Sequence, residues 1–525
     1  MRREMAVWRV FWVPQDAVRT GVRGRVLAGW EDLSAREDRT GIKAGDPVFL
    51  SPDHRVDPLL GLYVQSPAFR RYTVETKRNY ATDIKLLLTF LWGRGKAWTD
   101  AAERDLEDYE HWRRFAVQNP DRIEGSKWER ELATFAALYG WAVKNGYVAP
   151  NPVAMKQVRG RNGDVVTVPA ARAKDARPSN VHWLTPRTWR KWIDVGLRGH
   201  GRSGVPEPGW AGRLEDRNVA FIRLLVSSGL RRAEGGSLLT FEVPELRLDG
   251  GRYYRGKVMA GVTRSKKDRT FYVAADAAGE IEAYIDSSRA HAVRNAQRKG
   301  LYERLPGLRV VTEVTRQLKP VVRWREKDGT AGELPLSRLT AEERMLLFTE
   351  GPHGLEPLWL WLNERGMPFA VHSWEGVFTA ANERCERVLT PPGRVGLDPH
   401  QVFAPYATPH SARHSFALYM LVVLNILMDQ KYGLTEEERR DFRQLYGDPW
   451  FMVQQLLGHA SRETTVKWYL APVADLQLRS MLAGAAEPAA APMPELDAAF
   501  ARVARESDGI QDLGDIGQAL SGAAW

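Results

Sequence analysis

RLEDRNVAFIRLLVSSGLRRAE, residues 213–234, carries an apolar helical pattern directly into two arginines and a glutamate. A guanidinium at the end of an apolar helix is expensive to bury unless it meets an anion or a carboxylate. Glu234 lies three residues after Arg231, so on a continuing helix the two side chains can pair. Taken alone, a structural Arg–Glu pair is the plainer reading, and the segment becomes informative only through what surrounds it.

Outward from this stretch, residues 183–483 read as one large domain. Helical patterns occur in TPRTWRKWIDVGL, AAGEIEAYIDSSRAHAVRNAQRKG, HSWEGVFTAANERCERV, PHSARHSFALYMLVVLNILM and PWFMVQQLLGH. Two β-prone runs, RYYRGKVMAGVTR and RTFYVAA, are joined by the polar SKKD and predict a hairpin, and PLWLWLNERGMPF predicts a shorter one. Upstream, residues 65–152 predict a compact helical module. Tyr80, Ile84, Leu87, Leu88 and Leu91 share one face of a first helix, Asp100 to Val117 form a second, and Ser126 to Asn145 a third. Asn151-Pro152 closes the module. Residues 153–182 lack periodicity and are strongly basic, which predicts a linker, either solvated or strapped along a phosphate backbone. Residues 1–64 read as an N-terminal extension with no legible chemistry. Residues 484–525 read as a low-complexity linker and a short amphipathic helix, which either docks on a neighbouring protomer or folds back on its own subunit.

The chain has 525 residues, enough for two to four domains at about 150 each. Hydrophobic residues at 44% and charged residues at 27% exclude wholesale disorder. The single cysteine, Cys385, excludes an internal disulfide and a thiolate metal cage, and fits a reducing cytoplasm. No GxGxxG, P-loop or metal-ligand spacing is present, so no cofactor or metal is expected. The N-terminus lacks a secretory pattern, and the longest apolar run, 416–424, falls well short of the roughly 20 residues a bilayer needs. A soluble, cytoplasmic protein with no membrane partner is expected. The net charge of +10 permits a polyanionic partner without proving one.

Three further clusters join GLRRAE. TRSKKDR, residues 263–269, sits at the tip of the expected hairpin. HSARH, residues 410–414, places His410 and Arg413 three apart, so that on a helix they project from one face as an imidazole beside a guanidinium. LLGHASRETTVKWYLAP, residues 456–472, ends a helix near His459 and brings Tyr469 after it. Each cluster by itself has a bland explanation: a solvated hairpin tip, a satisfied helical histidine, a packed tyrosine.

The ordered set resembles the tyrosine recombinase (phage integrase) family, whose markers are an Arg in a GLRxxE segment, a hairpin Lys, HxxR, LGH and a nucleophilic Tyr. TKRNYATDIKLLLTFL and ELATFAALYGWAVKNGYVAPNPV are similar to the opening and closing helices of that family's core-binding domain. The resemblance covers about residues 65–483. It implies a mainly α fold with a small β-hairpin or sheet element: a two-domain clamp made of a helical core-binding (SAM-like) domain and a mixed α/β catalytic domain.

The resemblance also implies roles. Arg231 and Arg413 would clamp the scissile phosphate, His410 and His459 would complete its hydrogen-bonding shell, and Tyr469 would attack to form a 3′-phosphotyrosyl enzyme. Glu234 would hold Arg231 from behind. The general acid is expected at Lys266, with Arg264 and Lys267 as alternatives. Counting back from Arg269, the family's lysine position falls on Arg264, and a guanidinium holds its proton too tightly to be a good proton donor. Lys266 is preferred because alternate strand positions share a face. Two other departures stand out: the interval from Arg413 to His459 is roughly twice that of the family, through a polar insertion near 429–448, and Tyr469 lies one place later than in many members, where Trp468 stands.

The implied function is a site-specific recombinase or integrase of a mobile element, cleaving and rejoining DNA without metal or ATP. The alternative is a catalytically silent DNA-binding accessory protein of the same fold. A type IB topoisomerase uses a similar residue set. Duplex DNA is the implied partner, contacted by Lys77, Arg78, Lys127, Arg159 and Arg161, with a homotetramer on DNA, accessory DNA-bending or partner recombinase proteins, and a prokaryotic, nucleoid-associated location.

Overall fold

The computed structural model describes residues 6–13, 39, 41–159, 165–171, 173, 183–246, 251, 253–315, 318–391, 404–431, 449–458 and 510–511. Among these residues no helix is long and apolar enough to cross a membrane. The chain divides into two compact units, residues 1–179 and 180–525.

The first unit is built on three helices, Val74–Gly93, Glu103–Arg114 and Gly125–Lys144. Thr73 caps the first of them by accepting a hydrogen bond from the Thr76 N–H at 3.2 Å. Leu87, Leu91, Phe135 and Tyr139 meet in its core. The expected break at residue 64 is not a structural edge. It falls within the helix Pro58–Gln65, whose Leu60, Tyr63 and Val64 lie in the same core. The strands Arg9–Trp12 and Pro47–Leu50 pair antiparallel against it, and Trp8 packs edge-on to Trp92 at 6.1 Å. The supposed basic linker also differs from expectation, because Met155–Arg159 and Val165–Pro169 form an antiparallel hairpin. Their alternation is too short, and too mixed with charge, to stand out as periodicity.

Two carboxylates, Asp83 and Glu131, are completely buried in this unit. Glu131 receives Arg113 through two hydrogen bonds of 2.7 and 3.2 Å. Asp83 receives Arg130 at 2.8 Å, Lys127 at 3.2 Å and the Thr134 hydroxyl at 3.1 Å. Burial outweighs Arg130 and pushes the Asp83 carboxyl up to about 6.

The second unit begins with Trp183–Leu184 and the helices Pro186–Gly196 and Glu215–Ser228. An antiparallel hairpin of Tyr253–Val258 and Arg269–Ala274 follows, in a register that sets Gly256 opposite Phe271. The next helical stretch, Ala275–Tyr284 and Ala290–Arg298, contains a π-helical turn at Ile285–Arg289. Its Arg289 donates to the buried carbonyls of Pro357, Trp359 and Leu360.

This unit carries more β-structure than the two hairpins read from the sequence. Between the π-turned helix and Trp374–Leu389 lies a five-stranded sheet ordered Ala331–Pro335, Val321–Glu326, Arg309–Val314, Leu347–Gly351 and Gly354–Pro357. It is antiparallel except where Arg309–Val314 meets Leu347–Gly351. In PLWLWLNERGMPF the expected hairpin is reduced to an isolated bridge between Leu362 and Pro368, while Trp359 bridges to Leu239. The helices Pro409–Lys431 and Pro449–Leu457 complete the unit, with Phe416, Leu421, Val453 and Leu457 in contact. Ile510–Gln511 pairs in parallel with Trp183–Leu184 of the same chain.

An aromatic cluster supports the segment that carries Arg231. Phe221 stacks on Trp374 at 3.6 Å, Trp361 stands edge-on to both, and its Nε1–H donates to the Gly235 carbonyl at 2.8 Å.

Candidate functional site

The helix Glu215–Ser228 stops because Gly229 adopts a left-handed conformation, φ +62°, which side-chain-bearing residues rarely take. A Cβ at this position would also lie 2.3 Å from the Phe416 ring. Glycine thus does two jobs: it turns the chain, and it lets the helix Pro409–Lys431 approach. The turn starts the short helix Arg232–Gly236, whose third residue is Glu234. One oxygen of Glu234 accepts the Arg231 backbone N–H at 2.9 Å, and the other accepts the Arg231 side chain at 2.8 Å.

Glu234 is buried and serves more than one cation. Arg269, the first residue of the second hairpin strand, places Nη2 2.5 Å from the Glu234 carboxylate. Burial raises the carboxyl, but Arg269, Arg413 and Arg231 together overcome it and hold Glu234 below the usual carboxylate range. Glu234 is therefore an anionic node for the arginines around it.

Arg413 approaches from the helix Pro409–Lys431. Thr408 starts that helix, accepting the Ser411 N–H at 3.1 Å, with Pro409 at the first helical position. The Arg413 side chain is buried, and it donates to the carbonyls of Gly229 and Leu457. It thereby ties the arginine-bearing turn to the end of Pro449–Leu457. Arg269 donates to the preceding carbonyl, Leu456, at 2.6 Å. Two guanidiniums thus take the last two carbonyls of one helix, the end where its dipole is negative. Of the three arginines, Arg231 reaches solvent most, with 27% of its side chain exposed against 10% for Arg269.

Arg231, Glu234 and Arg413 are therefore brought together. His410 lies one turn before Arg413 on the same helix and is exposed, while Arg413 is buried. The His410 ring lies 6.3 Å from that of His414. His459 and Tyr469 lie outside the described residues, as does the insertion beyond Lys431 up to residue 448.

Lys266 does not lie on a strand. The strands end at Val258 and begin again at Arg269, so residues 264–267 belong to the turn, where alternation of faces has no meaning. Lys266 has φ +52° and donates its backbone N–H to the Thr263 carbonyl at 3.3 Å. Arg264, Lys266 and Lys267 are all exposed. The strand lysine, Lys257, instead pairs with Asp268 at 2.8 Å.

The expected DNA-contacting residues divide sharply. Lys77 lies 3.7 Å from the buried Asp46, and Lys127 bridges Asp83 and Glu131, so both already have anionic partners. Arg78 is exposed. The Arg159 side chain and Arg161 lie outside the described residues. Sequence reasoning used Arg269 only as a landmark and missed its place in the network; its position immediately after the hairpin turn was the available signal.

No family model matches the sequence, and no curated protein matches it significantly. Among solved structures the chain is similar to XerA recombinase, at 15% identity over 82% of this chain and 99% of that one, with a TM-score of 0.28. It is also similar to XerH site-specific recombinase bound to palindromic difH substrate in a post-cleavage complex. That match has 14% identity over 81% of this chain and 84% of the other, with a TM-score of 0.37. Both likenesses are to recombinases of known structure.

Proposed function

We propose that this chain is a DNA strand transferase of the tyrosine recombinase type, with Arg231 and Arg413 as phosphate-binding guanidiniums and Tyr469 as nucleophile. The observation that carries the reading is the buried Glu234 node. It orients the partly exposed Arg231 within a cluster whose other arginines, Arg269 and Arg413, anchor the helix leading toward His459 and Tyr469. Such concentrated positive charge is costly in a protein interior unless an anion is to be bound there.

The chemistry balances without an external energy source. The Tyr469 oxygen attacks phosphorus and passes its proton to His410, since a phenol of pKa near 10 needs a base at neutral pH. The bond from phosphorus to the 5′ oxygen breaks, and that oxygen takes a proton from the hairpin turn, where Lys266 remains the candidate donor. A 3′-phosphotyrosyl bond preserves the phosphodiester energy, and attack by a 5′ hydroxyl reverses the steps to join strands. Charge on the non-bridging oxygens is met by guanidiniums held in place before the reaction.

The test is to compare wild type with Tyr469→Phe on nicked duplexes made from DNA the protein recovers in cells. Wild type should accumulate a covalent protein–DNA species and the variant none. A silent DNA-binding role is favoured by one observation, the exposed and uncommitted side chains of Arg264, Lys266 and Lys267 among the described residues. Survival of the cellular function in Tyr469→Phe would establish that role instead.

A further inference from the structure

Arg269 is the member of the cluster to which the strand-transfer chemistry assigns no task. Its Nη2 meets Glu234 at 2.5 Å and its Nη1 donates to the Leu456 carbonyl at 2.6 Å. Both terminal nitrogens are thus engaged within the fold, one of them in an ion pair with the Glu234 carboxylate, and 10% of the side chain is exposed. Gly458, at φ +64°, ends the helix beneath it, and a Cβ there would lie 2.4 Å from the Arg269 Cδ. Only a glycine leaves the guanidinium its path to Leu456.

Arg269 therefore joins three parts of the fold: the base of the hairpin, the carboxylate that orients Arg231, and the last turn of Pro449–Leu457. From that turn the chain runs through Gly458 directly into His459. The geometry points to Arg269 as a positioning residue of the strand-transfer site, one that locks the helix end at Leu456 to the Glu234 node that orients Arg231. This role rests on the strand-transfer reading above. Arg413 supplies a parallel tie through Leu457, but it also belongs to the phosphate clamp, whereas Arg269 acts only through its neighbours.

The test uses the full chain, with Arg269→Lys and Gly458→Ala. Lysine keeps the charge but offers one nitrogen for two acceptors; the alanine methyl intrudes on the Arg269 stem. On a nicked duplex that wild type captures covalently, each variant should form adduct about 100-fold more slowly, the scale of a displacement near 1 Å at a reacting centre. Retention of the same duplex should change by less than about threefold. The double variant should be no slower than the worse single one, because both break one contact. Adduct formation by Arg269→Lys at the wild-type rate, or a loss of DNA retention equal to the loss of rate, would overturn the role. Amide hydrogen exchange gives a readout independent of activity: residues 454–458 should exchange at least about tenfold faster in Arg269→Lys, with Ala275–Tyr284 unchanged. If wild type forms no adduct, the strand-transfer reading fails. Unchanged exchange at 454–458 would then separately refute the tie.

Discussion

At the residue scale the account turns on Glu234, a buried carboxylate shared by two guanidiniums. Removing one partner of a buried ion pair leaves the other charge uncompensated, so Glu234→Gln should destabilise the second unit by about 3–5 kcal/mol at neutral pH. Because its folded pKa is depressed, the carboxylate's contribution is complete above the unfolded value of about 4.3 and is lost as pH falls through the lower folded value. The stability difference between wild type and Glu234→Gln, followed by urea unfolding, should therefore shrink below about pH 4. A difference that is flat with pH would mean that Glu234 is not held ionised by its arginines. Asp83 has the opposite sign. Its carboxyl is raised to about 6, so charging it works against the fold, and the helices around it should gain stability as pH falls from neutral through 6. Exchange protection of Val74–Gly93 in the full chain should rise over that window, and Asp83→Asn should abolish the trend.

At the element scale the hairpin offers the clearest lesson in packing. Gly256 faces Phe271 across the strands, and a Cβ there would lie 2.3 Å from a ring that is fully buried. Gly256→Ala should cost about 1–3 kcal/mol, measured by denaturant unfolding, as overpacking does when a core ring has nowhere to move. Long helices with a continuous apolar face were legible in sequence: the face read from Tyr80 to Leu91 lies on the helix Val74–Gly93. The Arg231–Glu234 pairing was legible too, since a three-residue spacing is a local property. The five-stranded sheet was not, because the parallel contact of Leu347 with Arg309 depends on a long connection that no local pattern announces. Arg269 stayed hidden for the same reason: its partners, Glu234 and Leu456, are remote in the chain. The Lys266 argument failed because strand alternation was extended into a turn.

At the scale of the whole molecule, a DNA-binding reading makes affinity a matter of counterion release. If about 6–10 phosphates are neutralised, affinity should fall by about 10³–10⁵ between 50 and 200 mM salt. The internal pairings refine this expectation. Lys77→Ala and Lys127→Ala should leave the salt slope unchanged, because Asp46, Asp83 and Glu131 already hold those cations, whereas Arg78→Ala should reduce it by about one if it contacts a phosphate. A drop in slope for Lys127→Ala would show that its buried partners release it to DNA. The most direct test of the central claim is to digest the covalent protein–DNA complex and map the DNA-linked peptide by mass spectrometry. The linkage should fall on Tyr469, and formation of the complex should collapse in Arg231→Ala and Arg413→Ala. A linkage to any other residue, or a complex formed undiminished without those two arginines, would contradict the account.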